Sequence, residues 1–158
     1  MRRGQSAFEY ILVVGIAMFL IVPGAILFYD YSKRSGDEML RSQIDMAGAD
    51  IMDAVEKVYY IGENTWETIK VYVPDSVRWI YILNNSELVI EYDSQVGVGE
   101  AVFFSDINIT APPNYSIGGK QYISNITGQS SQAGLRIIKI SSMSTSNSVH
   151  YVLINETR

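Results

Sequence analysis

The sequence contains no cysteine and only one histidine, His150. The lack of cysteine excludes disulfide bonds, thiolate metal sites and cysteine nucleophiles, and a single histidine excludes a multi-histidine metal site within one chain. Positive charge is also scarce, with 12 basic against 17 acidic residues, and the basic residues form no patch or stripe. Because nucleic-acid binding relies on clustered lysine and arginine side chains, we expect no nucleic-acid partner.

The motifs of common catalytic and cofactor sites are missing as well. The sequence has no nucleophile elbow, P-loop, zinc motif or EF-hand loop. Residues 97–102 begin like a dinucleotide-binding motif but lack its third glycine and its helix, so we interpret Gly97–Gly99 as a loop. Asp50 and Asp53 lie near basic residues on a polar helix face, which favours a solvated surface over acid–base chemistry. We therefore expect no enzyme, no cofactor and no metal site.

One long hydrophobic run dominates the N-terminal part, with 20 residues from Tyr10 to Tyr29 that carry no charge. As a helix this run spans about 30 Å, the thickness of the hydrocarbon core of a bilayer. A signal peptide has a shorter apolar region, and a small chain offers little protein to cover such a helix as a core element. Arg2 and Arg3 precede the run and Asp30 follows it, so the positive-inside rule predicts a cytoplasmic N-terminus with the rest outside.

An amphipathic helical pattern continues beyond this run. Apolar residues recur at spacings of three and four opposite a charged face, and Gly62 predicts the helix end. We expect Pro23 to kink or locally melt the helix, with Gly36 as a second weak point. The apolar positions, named here the helix stripe, are Leu40, Ile44, Ala47, Ile51, Val55 and Val58.

The periodicity changes to two after residue 65, which predicts β-strands. The runs 68–73, 77–83 and 87–92 predict an antiparallel meander, and 135–140 with 149–154 predict a final strand pair. Shorter strands are expected at 101–104, 107–110 and 120–124. The predicted fold class is therefore α+β, with a long N-terminal hydrophobic and amphipathic helix packed through its stripe on a C-terminal antiparallel β-sheet domain.

The N-terminal residues resemble those of type IV pilins. A short basic leader ends at Gly4, Glu9 follows five residues later, and an apolar helix with a proline continues into an amphipathic one. The stretch Gln5-Ser6-Ala7-Phe8-Glu9 is similar to the archaeal class III signal peptide, whose pattern is Q-x-S-x-E-x-x-x-L. The sequence has Ala7 and Val13 where that pattern has serine and leucine, and the resemblance covers about the first 30 residues.

This resemblance implies a cell-surface filament subunit with a pilin-like fold. A prepilin peptidase would cut between Gly4 and Gln5, removing leader residues 1–4. Residues 5–62 would form the N-terminal helix, with a membrane and filament-core half at 5–30 and an amphipathic half at 31–62, and residues 63–158 an extracellular β-rich domain. The implied partners are the membrane, copies of the chain or related pilins, an assembly ATPase and a platform protein. The chain would lie in the cytoplasmic membrane before assembly and in the surface filament afterwards.

Glu9 at the edge of the apolar run opposes membrane insertion, because placing a lone carboxylate inside a bilayer costs about 2.5–3.5 kcal/mol of free energy. The resemblance implies that it pairs with the free Gln5 amine of a neighbouring subunit and sets the register of assembly. The alternative is a carboxylate solvated at headgroup level. Two further functions also remain open: a minor pilin or pseudopilin, and an uncleaved membrane-anchored surface binding domain.

Five N-x-S/T sequons lie in the second half of the chain. Glycan at these positions would shield a β-surface from proteases and from edge pairing. The alternative is that the sequons arise by chance in a surface rich in asparagine, serine and threonine. The acceptor asparagines are Asn84, Asn108, Asn114, Asn125 and Asn155.

Overall fold

The structure, a computed structural model, describes residues 2–95, 97–113, 116–123, 134–144 and 149–157, with side chains from Phe8 onward. These residues form one α-helix, α1 (Arg2–Ile61), followed by nine β-strands. The chain divides into two compact units, Met1–Glu38 and Met39–Arg158. The strands are β1 (Trp66–Val73), β2 (Val77–Leu83), β3 (Glu87–Ser94), β4 (Gly97–Phe104), β5 (Ile109–Thr110), β6 (Ser116–Ile117), β7 (Lys120–Tyr122), β8 (Gly134–Ser144) and β9 (His150–Thr157).

Helix α1 ends where the sequence predicts. Gly62 has a φ of +121°, a conformation that favours glycine, and its N–H donates to the Val58 carbonyl at 3.4 Å. The helix continues through Pro23 and Gly36, so of the two outcomes expected at Pro23, a kink or local melting, it shows no melting. A proline removes one N–H donor, and here the residues on both sides stay helical. A bend at Pro23 stays a prediction.

The strands form two sheets. The four-stranded sheet has the order β1-β8-β9-β5, and the five-stranded sheet has the order β4-β3-β2-β7-β6. All pairs are antiparallel except that of β5 with β9, which is parallel. The predicted final strand pair is confirmed as β8 and β9; β8 ends four residues and β9 three residues later than predicted.

The predicted meander is partly wrong. Strand β1 pairs with β8 rather than with β2, and the real meander is β2-β3-β4. The turn after β1 sends the chain from one sheet to the other, with the Val77 N–H donating to the Pro74 carbonyl at 3.1 Å. The pairing of the predicted runs 77–83 and 87–92 is confirmed as β2 and β3, and the turn between them contains Asn84 and Asn85, whose φ values of +52° and +57° fit a type I′ turn.

The interpretation of Gly97–Gly99 as a loop is also wrong, because these residues begin β4. Gly99 lies opposite Tyr92 of β3, and a Cβ added at Gly99 would lie 2.8 Å from Cζ of Tyr92. The tyrosine ring therefore occupies the space that a side chain at this position would need. The glycine serves close packing inside a strand rather than a turn.

The helix stripe packs on the β-domain as predicted. Ile44, Ile51 and Val55 are fully buried, in one hydrophobic core with buried side chains of both sheets. Each large side chain buried in this way contributes about 1.5–3 kcal/mol. Leu40 is partly buried against the core, and Ala54 joins it as a position that the pattern did not include. The α+β fold class is thus confirmed.

Candidate functional site

The apolar segment of α1, Tyr10–Tyr29, has no protein cover. Every described side chain from Phe8 to Gly36 is exposed, including Phe19 at 77% and Phe28 at 73%. In the described part of the chain, one helix is long and apolar enough to cross a membrane, and its apolar window is not buried. Soluble monomers rarely expose apolar patches larger than a few hundred Å². The segment therefore requires lipid or another apolar surface.

Glu9 lies directly before this segment, and its side chain is exposed on the helix. Its neighbours Phe8 and Tyr10 are 68% and 71% exposed, so the carboxylate belongs to an otherwise apolar surface. The backbone at Gly4 and Gln5 is helical, which places Gln5 one turn before Glu9. The side chain of Gln5 lies outside the described residues, and the cleavage site stays a prediction.

The other end of the apolar segment carries residues typical of a membrane–water boundary. Tyr29 and Tyr31 are exposed at 60% and 70%, and the Lys33 ammonium lies 4.4 Å from the centroid of the Tyr29 ring. A tyrosine ring with a long cationic side chain beside it favours the interface, because the ring is amphipathic and the lysine reaches water. The spacing of four residues between Tyr29 and Lys33 is the sequence signal for this contact.

The outer face of the five-stranded sheet holds a cluster that the sequence did not reveal. Tyr81 is 1% exposed, and its hydroxyl donates to Oε1 of Glu100 at 3.2 Å. The Lys120 ammonium lies 4.1 Å from the Tyr81 ring centroid and 3.6 Å from Oε2 of Glu91. Burial raises the pKa of Tyr81, and the hydrogen bond with Tyr81 raises the pKa of Lys120. The cluster links strands β2, β3, β4 and β7 through these contacts.

The three described sequons occupy different settings. Asn84 is exposed in the β2–β3 turn, where its amide donates to Oε1 of Glu87 at 3.3 Å. Asn108 is exposed, and Asn155 is half-buried on β9. Exposure makes Asn84 and Asn108 the more accessible acceptors. Asn114 and Asn125 lie outside the described residues.

The acidic residues form no metal site within the described part of the chain, since no group of three potential ligands lies close enough together. Asp45 lies 4.0 Å from Arg41 on the exposed helix surface, and Asp50 and Asp53 are also exposed. Nε2 of His150 lies 2.9 Å from Oε1 of Glu63 at the strand surface. These contacts are those of a solvated protein surface.

Comparisons with protein-family models, with curated proteins and with solved structures found no match to this chain. The apolar segment with Glu9 at its start is the strongest candidate site.

Proposed function

We propose that this chain is a structural subunit of a type IV pilus-like surface filament. Before assembly, α1 holds it in the cytoplasmic membrane with the β-domain outside. A prepilin peptidase cuts between Gly4 and Gln5, and an assembly ATPase with a platform protein drives filament growth. The observation that carries the proposal is the uncovered apolar segment with a carboxylate at its start.

The apolar segment supports assembly through helix packing. A single subunit covers its exposed Phe19, Leu20 and Phe28 with lipid, but a subunit extracted into a surface filament loses that cover. Copies of the same segment are the apolar surface available to every subunit, and their packing would bury these side chains again. The same segment then serves first as an anchor and afterwards as the filament core.

Glu9 supports an ordered assembly over a simple anchor. A plain membrane anchor gains nothing from a carboxylate at the edge of its apolar segment, because that group opposes insertion. In a filament, the free amine that cleavage leaves at Gln5 gives the carboxylate of a neighbouring subunit a partner of opposite charge. Removing one partner of a buried pair costs about 3–5 kcal/mol, enough to make register specific.

The substitution Glu9→Gln tests this role. We expect leader cleavage and membrane insertion to persist, because the change leaves Gly4 and Gln5 intact and removes a charge from the membrane. Filament growth should be blocked or strongly slowed, since each added subunit would leave a Gln5 amine unpaired. The measurement is the yield of sheared surface filaments from cells with matched levels of processed subunit.

The matched control is Glu38→Gln, the same chemical change at an exposed position of α1 beyond the apolar segment. This variant should assemble like the wild type. Normal filament yield from Glu9→Gln would contradict the assembly role and favour a solvated carboxylate.

N-terminal sequencing separates the remaining functions. A processed chain begins at Gln5, whereas an uncleaved membrane-anchored binding domain keeps Met1 or Arg2. A minor pilin or pseudopilin shares the processed N-terminus but is scarce in sheared filaments, so the abundance of the chain in that fraction distinguishes it from the main subunit.

A further inference from the structure

A groove of about 480 Å³ lies where the two sheets meet. It is bounded by β5 and β9 of the four-stranded sheet and by β7 with the Asn85 turn of the five-stranded sheet. Its volume is within the range of about 300–1,000 Å³ typical of small-molecule sites. None of the side chains that line it carries a charge.

Gln121 of β7 is the fixed centre of this groove. Its Oε1 accepts from the Thr110 hydroxyl at 2.8 Å and from the Ala111 N–H at 3.1 Å, and its Nε2 donates to Oδ1 of Asn85 at 2.5 Å. These bonds hold the amide in one orientation, which lowers the entropy cost of binding a ligand. They use one of the two Nε2 protons, and among the described residues the other has no partner.

The amide groups of Asn85 and Asn108 add to this donor and acceptor set. The Asn85 Nδ2 and the Asn108 side chain have no hydrogen-bond partner among the described residues, and Asn108 is exposed at the rim. Tyr151 and Leu153 supply an aromatic and an apolar wall. The groove thus combines groups that both donate and accept with an apolar side and no charge.

We propose that this groove binds a neutral sugar unit. Sugar hydroxyls donate and accept at once, which suits amide groups, and the C–H face of a sugar ring suits a tyrosine wall. A phosphate or a carboxylate would find no cation here. The sugar has two potential sources: a glycan attached to Asn108, which lies in a sequon at the groove itself, or a saccharide on another surface.

The first experiment uses the full chain from a host without N-glycosylation, in a detergent that contains no sugar. Saturation-transfer NMR with glucose, galactose, mannose and N-acetylglucosamine should detect binding of at least one, and glucuronic acid should bind much more weakly. Gln121→Leu should weaken the binding by about tenfold, as expected for one lost hydrogen bond of the stronger kind.

Because Gln121 also bonds to its own chain, Asn108→Ala is a second variant, and it keeps the backbone bond in which the Asn108 carbonyl accepts from the Val152 N–H. It should weaken binding in the same experiment. Asn155→Ala, at a sequon asparagine that does not line the groove, should leave binding unchanged. Lack of binding by all four neutral sugars, equal binding of glucuronic acid, or wild-type binding by both groove variants would overturn the proposal.

The second experiment separates the two sources, with the chain purified from its native host. If a glycan on Asn108 fills the groove, the added sugar will bind to the unglycosylated chain of the first experiment but not to the native chain. If the sugar comes from another surface, the native and unglycosylated chains will bind it alike. Failure of both chains to bind would overturn the proposal. Filament assembly is tested separately, by the substitution Glu9→Gln.

Discussion

Helix α1 and strand β4 approach closely at Gly48, and this contact allows a sharp test of the docking of the helix. Gly48 is buried, and a Cβ added there would lie 2.6 Å from Cε1 of Phe103, with Cζ and Cε2 of that ring closer still. Carbon atoms in favourable contact are about 3.5–4.0 Å apart. An alanine at position 48 therefore requires the Phe103 ring, which packs against the core, to move.

Two opposing effects determine the result of Gly48→Ala. Alanine in place of glycine stabilises a helix interior by about 1 kcal/mol. An overpacked core contact costs about 1–3 kcal/mol, because side chains leave their preferred rotamers. We expect the overpacking to prevail, with a net loss of about 1 kcal/mol and a fall of roughly 4 °C in Tm. Fluorescence of Trp66 and Trp79 during urea or thermal unfolding of the full chain in micelles measures this loss.

The Phe103→Leu background isolates the contact, since leucine lacks the ring atoms that meet the added Cβ. In that background, Gly48→Ala should be stabilising by about 1 kcal/mol, which gives a coupling energy of about 2 kcal/mol. Gly36→Ala is the matched control, because no described atom outside the helix backbone lies within 4 Å of its added Cβ. If Gly48→Ala fails to destabilise the wild type, or has the same effect in both backgrounds, the argument is refuted.

Three further predictions concern pH, truncation and glycan. The pKa values of Tyr81 and Lys120 are raised in the folded chain, so above pH ~10 the unfolded chain loses these protons first and the stability of the folded chain falls. In Tyr81→Phe, the urea midpoint should therefore fall less steeply between pH 8, 10 and 11 than in the wild type. An equally steep fall in both chains would contradict this prediction. A fragment 36–158 should fold as a monomer because it keeps the helix stripe, whereas 63–158 should aggregate; a cooperatively folded, monomeric 63–158 in sedimentation and unfolding experiments would contradict this. The native chain should carry glycan on at least one of its five sequons, and an intact mass equal to that of the bare processed sequence would refute it.

Local patterns predicted the parts of the fold that depend on neighbouring residues. The helix stripe was visible because its residues repeat at helical spacing, and Gly62 marked the end because it takes a positive φ. The β2–β3 hairpin followed from the alternating runs 77–83 and 87–92, and its turn uses Asn84 and Asn85, which tolerate the left-handed conformation. These signals lie within a few residues of the structure they specify.

The distribution of strands between two sheets could not be predicted in this way. Strand β1 pairs with β8, in which Trp66 lies opposite Ser141, and no local signal specifies a partner so distant in the sequence. The glycines of β4 mislead a sequence-based interpretation for a related reason. Gly99 is required by the ring of Tyr92 on the next strand, which is visible only once the two strands are paired.

The same distinction applies to the candidate sites. The apolar segment and Glu9 are continuous in the sequence, so charge and hydropathy patterns were sufficient to find them. The groove around Gln121 joins residues from four separate parts of the chain, and the contact of Lys120 with Tyr81 joins two strands. Asparagine, glutamine and tyrosine are common on any polar surface, so their types alone did not indicate a site.

The structure also separates the residues that stabilise the β-domain from those proposed to assemble it. The helix stripe is buried within unit Met39–Arg158, whereas the apolar segment lies in unit Met1–Glu38, in which every described side chain from Phe8 to Gly36 is exposed. Substitutions at distant sites without shared partners have nearly additive effects on stability. Glu9→Gln should therefore block filament growth and leave the unfolding midpoint of the β-domain unchanged. Gly48→Ala should lower that midpoint and leave filament growth unchanged, as long as the domain stays folded. A shift in that midpoint caused by Glu9→Gln would mean that loss of filaments reports misfolding, so the midpoint must be measured on the chain purified from the same cells that give the filament yield.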